Sequence, residues 1–96
     1  MFARLQTINQ PAERLDELAG FAREQLPGVR ELPGFAGFYY LVDRAHAKAI
    51  VLSLWETEED VRRLEANSAA MRERIKREAR LESPASEIFE VALQVS

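Results

Sequence analysis

The chain has 96 residues, of which 47% are hydrophobic and 30% are charged, with a formal net charge of −3 and no cysteine. This size predicts a single domain over residues 1–96, and the lack of cysteine excludes a disulfide framework and a thiolate nucleophile. The slight negative charge disfavours nucleic acid as a partner, and no apolar run reaches the roughly 18 residues of a membrane span. Because the N-terminus also lacks the pattern of a signal peptide, we expect a cytoplasmic protein.

The first two predicted elements are a strand and a helix. Alternation predicts a strand over Phe2–Ile8. One face of this strand carries Phe2, Arg4, Gln6 and Ile8. Asn9 can cap the helix that follows, and apolar residues recur at helical spacing over Ala12–Leu26. The pair Pro27-Gly28 is expected to end that helix.

Two apolar runs joined by a polar turn form the centre of the sequence. The first, Leu32–Asp43, and the second, Ala49–Trp55, are rich in the aromatic and β-branched residues that are typical of strands. Neither run alternates cleanly between apolar and polar residues, so both strands are predicted to be buried on both faces. His46, the single histidine, lies in the turn and is either a solvated loop residue or a functional one, as a proton shuttle or an axial ligand.

The last part of the chain predicts a second helix and a fourth strand. Thr57 can cap a helix with an acidic first turn, and an apolar stripe continues from there through Arg80. Asn67-Ser68 interrupts the stripe, which predicts a kink or a break. Glu87–Val95 alternates well and is expected to be a strand. The resulting order, β-α-β-β-α-β, is the ferredoxin-like α+β arrangement with a four-stranded antiparallel sheet.

In such a fold both helices cover one face of the sheet and leave the other face open. A face of four strands by six residues has an area on the order of 380 Å², about the largest apolar patch that soluble monomers usually expose. Because the central hairpin is apolar on both sides, we expect a second copy to cover the open face through a two-fold interface. We also expect Arg4 and Glu90 to form a cross-strand ion pair.

Two short motifs resemble the antibiotic biosynthesis monooxygenase (ABM) domain family. The first is Leu32-Pro33-Gly34-Phe35 ahead of an apolar strand, and the second is the strand-ending Trp55 followed by the acidic helix start Glu56-Thr57-Glu58-Glu59. The resemblance extends over nearly the whole chain in element order. It implies one ABM-like domain in a dimeric α+β barrel, with a small pocket between the sheet and the helices of each subunit.

The resemblance also implies two kinds of chemistry. Some relatives oxidise polycyclic phenols with molecular oxygen and no cofactor, and these are expected to carry a polar amide on the strand that bears the tryptophan. In this sequence Ser53 and Val51 face the same way as Trp55. Other relatives degrade heme with an Asn on the first strand and a Trp and a His in the second helical region, where this sequence has neither Trp nor His.

Four residues are candidates for catalysis in such a pocket: Trp55, Tyr39, Tyr40 and Asn9. Trp55 either stacks on a flat ligand and donates its indole N–H, or it anchors the core at the strand end. Tyr39 and Tyr40 point to opposite faces, so at most one of them serves a given pocket, as an acid or by packing. Asn9 is either a catalytic amide or a helix cap. The candidate pocket-lining residues are Phe38, Leu18, Phe21, Asn67 and Met71.

These observations lead to two hypotheses about function. In the first, the chain is a cofactor-independent monooxygenase-like protein that acts on a small aromatic or polyphenolic substrate, whose anion itself reduces oxygen. In the second, it is a non-catalytic homodimer that binds a small ligand or a partner protein. Neither hypothesis requires a cofactor or a metal, and with one histidine and no cysteine a zinc site is not expected.

Overall fold

The computed structural model describes residues 1–67, 73–74, 76–77 and 86–95. Its strands and helices follow the predicted order. In chain order they are β1 (Phe2–Asn9), α1 (Ala12–Arg30), β2 (Phe35–Asp43), β3 (Lys48–Trp55), α2 (Glu58–Asn67) and β4 (Ser86–Glu90). Residues 73–74 and 76–77 are also helical. The predicted break at Ser68 and the candidate pocket residue Met71 fall outside the described residues.

The strands form a four-stranded antiparallel sheet in the order β2-β3-β1-β4. β1 therefore lies inside the sheet, where Phe2 is opposite Trp55 of β3. Ile8 of β1 packs against Leu18 of α1, and Phe2, on the same face of β1, packs against the cluster that contains Val61 of α2. Both helices thus cover one face, and the predicted ferredoxin-like α+β fold is confirmed.

Helix α1 continues past Pro27 to Arg30, so the predicted end at Leu26 is wrong. A proline inside a helix removes one backbone donor and disturbs the preceding turn. After the helix the chain tightens, and the N–H of Leu32 donates to the carbonyl of Val29 at 3.1 Å. Val29 and Leu32 pack against the buried cluster of β3 and α2, and this burial favours the longer helix.

The start of α1 also differs from its prediction. Asn9 is the last residue of β1, where it pairs with Lys48, and the helix N-cap is Pro11. The carbonyl of Pro11 accepts from the N–H groups of Arg14 and Leu15 at 2.9 and 3.1 Å. The prediction of Asn9 as a helix cap is therefore wrong, because the strand extends far enough to use this residue.

A reciprocal capping box fixes the start of α2, as the sequence predicted from Thr57. The N–H of Asp60 donates to Thr57 Oγ1 at 3.2 Å, and the Asp60 carboxylate accepts from the N–H and hydroxyl of Thr57 at 3.2 and 2.8 Å. Arg63 donates to the same carboxylate at 3.1 Å. Gly34 lies against this carboxylate with φ of +81°, and its carbonyl accepts from the N–H of Glu56 at 2.9 Å. The Pro-Gly-Phe motif and the acidic helix start are therefore in direct contact.

Gly34→Ala is expected to lower the free energy of unfolding by about 2–3 kcal/mol. Alanine is strained at φ of +81°, and its Cβ would overlap the Asp60 carboxylate, which cannot move without losing the capping box. Gly20→Ala inside α1 is the matched control, because an added Cβ there meets nothing within 4 Å. It should stabilise the helix by up to about 1 kcal/mol. Urea unfolding followed by circular dichroism measures both, and equal effects would contradict the role of Gly34.

Strand β4 spans Ser86–Glu90 and not the predicted Glu87–Val95. Glu90 pairs with Phe2, the first residue of β1, so the chain after β4 runs past the end of that strand. The N–H of Val91 still donates to the carbonyl of the N-terminal residue at 2.8 Å. The apolar side chains of Leu93 and Val95 are consequently 83% and 85% exposed.

The face of the sheet opposite the helices is here called the open face. Alternation along the strands gives it these apolar residues: Ala3, Leu5, Tyr39, Leu41, Ile50, Leu52, Leu54 and Phe89. Tyr39, Leu41 and Phe89 are 55%, 48% and 50% exposed. Since the other face of the hairpin packs against the helices, the hairpin is apolar on both faces as predicted.

Candidate functional site

The helix-covered face of the sheet carries two separate apolar clusters. The first contains Ile8, Leu18, Phe21 and Tyr40. The second contains Phe2, Val29, Leu32, Phe35, Trp55, Val61 and Leu64. The first cluster joins the sheet to α1, and the second joins it to α2 and to the end of α1.

Between the two clusters, the same face of the sheet carries Arg4, Gln6, Phe38 and Ser53, which we call the central strip. On β1, Phe2 of the second cluster and Ile8 of the first flank the two polar residues on the same face. Ser53 is the direct cross-strand partner of both Arg4 and Phe38, so three neighbouring strands contribute. The central strip thus combines a cation, an amide and a hydroxyl with an aromatic ring between apolar borders.

Arg4 is the only charged side chain that is buried among the described residues, with 7% of its surface exposed. Its Nε donates to Oε1 of Glu65 on α2 at 3.1 Å, and its Nη1 donates to Oε1 of Gln6 at 3.4 Å. The hydroxyl of Ser86 on β4 donates to the same Glu65 oxygen at 2.7 Å. The predicted ion pair between Arg4 and Glu90 is therefore wrong. Arg4 pairs with Glu65, because α2 brings the carboxylate of Glu65 over β1.

Trp55 is fully buried within the second cluster. Its indole N–H donates to Ser53 Oγ at 2.9 Å, and its ring meets Phe35 edge-on with 5.6 Å between the ring centroids. This geometry matches the core-anchor alternative, since the indole N–H is already bound by the protein. Trp55 acts on the central strip by holding the hydroxyl of Ser53.

The two tyrosines lie on opposite faces of β2, as predicted. Tyr40 is on the helix-covered face, where its hydroxyl donates to the carbonyl of Leu15 at 2.8 Å. Burial raises the pKa of Tyr40, and the negative charge of Asp16 raises it further. Tyr39 is 55% exposed on the open face. Only Tyr40 therefore shares a face with the central strip.

The contribution of Tyr40 to the stability of the fold is expected to be lost at high pH. Its folded-state pKa lies above the ordinary value of 10.0, so the folded state holds the phenolic proton more tightly than the unfolded state does. This stabilisation is fully present below about pH 10 and is lost as the pH rises through the folded-state pKa. In urea unfolding, the stability difference between the wild type and Tyr40→Phe should be constant at neutral pH and shrink above about pH 10. A difference that grows with pH would contradict the raised pKa.

The other predicted residues lie partly at the site and partly beside it. Phe38 belongs to the central strip, and Leu18 and Phe21 belong to the first cluster. Asn9 is exposed at the end of β1, and Asn67 is exposed at the end of α2. Roles for these two amides in a pocket stay predictions.

His46 lies in the exposed turn between β2 and β3, as its loop alternative predicted. Its Nδ1 is 2.8 Å from Oδ2 of Asp43, and this hydrogen bond lowers the pKa of Asp43. Arg44 in the same turn contacts both carboxylate oxygens of Asp16 on α1 at 2.9 and 3.3 Å, which lowers the pKa of Asp16. Within the described part of the chain, no group of three or more His, Cys, Asp or Glu could hold a metal ion.

Sequence reasoning did not single out Gln6, Glu65 or Ser86, and it gave Arg4 a different partner. One signal was available, because Arg4 and Gln6 interrupt an otherwise apolar face of β1. A cation and an amide on the buried face of a strand indicate a polar site that the fold has to satisfy. Glu65 and Ser86 give no such signal, since they meet only when α2 packs beside β4.

The element order and the sheet topology define the class of protein, a ferredoxin-like α+β fold, which here carries buried polar groups between the sheet and the helices. No family model matches the chain, and no curated protein matches it. Solved structures do match it over all or nearly all of its length. No helix among the described residues is long and apolar enough to cross a membrane.

One similar structure is the heme-degrader MhuD from Mycobacterium tuberculosis, solved with two hemes bound in its active site. It is 25% identical, the match covers 100% of both chains, and the TM-score is 0.74. Another is a candidate antibiotic biosynthesis monooxygenase from Nitrosomonas europaea, 12% identical over 99% of this chain and 93% of the other, with a TM-score of 0.75. A third, from Deinococcus radiodurans, is 11% identical over 100% and 97%, with a TM-score of 0.74. The chain therefore has the fold of ABM-domain proteins and of MhuD, as its two motifs indicated.

Proposed function

We propose that the chain is a cofactor-independent, monooxygenase-like protein, with residues 1–96 as one ABM-like domain, that acts on a small aromatic or polyphenolic substrate. The observation that carries this proposal is the central strip, where buried polar groups lie between two apolar clusters. Support also comes from the candidate ABM monooxygenases that share the fold over nearly the whole chain. Apolar borders with a few fixed polar groups suit a flat aromatic ligand.

The proposed chemistry asks little of the protein beyond binding. The anion of an electron-rich phenol or anthrone itself reduces dioxygen, so the protein has to exclude water and orient the substrate. Trp55 supports the site by holding the hydroxyl of Ser53. Tyr40 remains a hypothetical acid on the helix-covered face, and to act it would have to release the hydrogen bond that its hydroxyl donates to the carbonyl of Leu15. Tyr39 and Asn9 remain hypothetical catalytic residues.

We propose further that two copies associate through their open faces. The large apolar side chains of Tyr39, Leu41 and Phe89 are about half exposed there, and the segment after β4 adds Leu93 and Val95. Soluble monomers rarely leave a contiguous apolar surface of this kind in water. A second copy fits it, because a two-fold axis lets each open face cover the same residues of the other.

Heme is a second possible ligand, because MhuD was solved with two hemes in its active site. This chain has one histidine, His46, and it lies in the β2–β3 turn in contact with Asp43. The helix-covered face therefore has no histidine to offer the heme iron. Hemin enters the experiments as a competing ligand and not as the proposed substrate.

Oxygen uptake with dithranol, an anthrone, tests the proposed activity. Dioxygen converts the CH2 of the anthrone to a carbonyl and is reduced to water, which yields dihydroxyanthraquinone. We expect turnover at least about tenfold above the rate in buffer. Phe38→Ala removes the aromatic ring of the central strip and should lower this rate, whereas Glu24→Ala on the exposed surface of α1 should not. Turnover equal to the buffer rate would contradict monooxygenase activity.

The second candidate function is a non-catalytic homodimer that binds a small ligand or a partner protein. The placement of Trp55 favours it, since the indole N–H is already bound to Ser53 inside the core. A thermal-shift screen with dithranol, dihydroxyanthraquinone and hemin separates the two functions. A raised Tm with no oxygen uptake supports binding without catalysis.

A further inference from the structure

Arg4 lies where an uncompensated charge is costly. Its side chain is 8% exposed, and Phe2 and Ile8 beside it on β1 belong to the two apolar clusters. A guanidinium in such a place requires an anion as its neighbour. Which ligand the central strip can bind therefore depends on which anion pairs with Arg4.

Among the described residues, Glu65 is an anion that pairs with Arg4, and its side chain is more exposed than that of Arg4. Its side chain is 31% exposed, and its Oε1 accepts from Arg4 Nε at 3.1 Å and from the Ser86 hydroxyl at 2.7 Å. Because Glu65 projects from α2 toward solvent, a change of its side-chain rotamer can carry the carboxylate into water without moving the backbone. Arg4, held on an interior strand, has no comparable freedom.

We infer that Arg4 binds the oxyanion of the ligand and that Glu65 is an internal substitute which the ligand displaces. The inference rests on the proposed function, because it takes the ligand to be a flat aromatic on the central strip. The group of the ligand that Arg4 recognises is then an ionised oxygen attached to the aromatic ring. Exchanging one oxyanion for another keeps the guanidinium of Arg4 paired, and the displaced Glu65 regains its hydration.

Arg4 and Glu65 then have opposite effects on binding. Arg4→Met removes the partner of the oxyanion, so the affinity for an anionic ligand falls. Glu65→Gln removes the carboxylate that competes with the ligand for Arg4, so the affinity rises. If the pair only stabilised the fold, both variants would change the affinity for the ligand in the same direction.

Alizarin, a dihydroxyanthraquinone whose absorption spectrum changes on ionisation, and its 1,2-dimethoxy ether are the probes. With ionised alizarin, the wild type should bind the dye at least about tenfold more tightly than the ether. Arg4→Met should lower this ratio to about one, Arg4→Lys should keep most of it, and Glu65→Gln should raise it about tenfold. Glu58→Gln, which removes an exposed carboxylate from the same helix, is the matched control and should leave the ratio unchanged.

The ratio separates ligand recognition from folding, because both probes need the same folded protein. Bound alizarin should also ionise about one pH unit lower than the free dye, and Arg4→Met should abolish that shift. Equal binding of both probes to the wild type, or a lower ratio in Glu65→Gln, overturns the inference and leaves the proposed function intact. If neither probe binds the wild type, the inference and the proposed aromatic substrate both fall.

Discussion

Trp55→Ala is expected to lower the free energy of unfolding by roughly 3–5 kcal/mol. Trp55 is fully buried, packs with Val61 and Leu64, and meets the ring of Phe35 at 5.6 Å. The substitution leaves a cavity at this junction and also removes the 2.9 Å hydrogen bond to Ser53. Domains of this size are stable by only about 5–15 kcal/mol, so the variant should be near the limit of folding. Urea unfolding followed by circular dichroism measures the loss.

Two milder variants separate the packing of Trp55 from its hydrogen bond. Trp55→Phe keeps an aromatic ring against Phe35 but loses the N–H donor and part of the ring volume. Ser53→Ala leaves the indole N–H buried without its acceptor, which should cost about 1–3 kcal/mol. A loss below about 1 kcal/mol for Trp55→Ala would contradict its position in the core.

Leu41→Asp is expected to dissociate the proposed homodimer. Leu41 is 48% exposed in the single chain, so the substitution costs an isolated subunit little. In the dimer the two-fold axis buries the new charge twice, and each unpaired buried charge costs about 3–5 kcal/mol. The dissociation constant should therefore rise at least about a hundredfold. Sedimentation velocity at micromolar concentration follows the change directly.

Ala66→Asp is the matched control for the interface, since it adds the same charge at an exposed position of α2. It should leave the sedimentation coefficient unchanged, and both variants should keep the circular dichroism spectrum of the wild type. A wild-type chain that sediments as one copy, or a Leu41→Asp variant that stays dimeric, would contradict an interface at the open face.

The order of elements was predictable because it depends on local signals. The capping box at Thr57 and the turn that holds His46 each involve residues that are close in the chain. The ends of elements depend instead on tertiary contacts. Burial of Val29 favours extension of α1 through Pro27, and β4 ends at Glu90, which pairs with Phe2, the first residue of β1.

The candidate site was predictable only in part, for the same physical reason. Alternation placed Tyr39 and Tyr40 on opposite faces of β2, and it placed Arg4 and Gln6 together on one face of β1, but it did not specify which face the helices cover. The contact between Arg4 and Glu65 was not predictable, because Glu65 is 61 positions away in the chain. Their contact depends on where α2 crosses the sheet, and no local spacing specifies that position.

The position of the ligand site is tested most directly by an NMR titration of isotope-labelled protein with alizarin. If the ligand binds on the helix-covered face, the backbone amides of the central strip and the Nε–H signal of Arg4 should shift together and saturate. Signals from Leu41 and Phe89 on the open face should stay in place. Saturable shifts confined to the open face, with the Arg4 signal unchanged, would contradict a ligand site between the sheet and the helices.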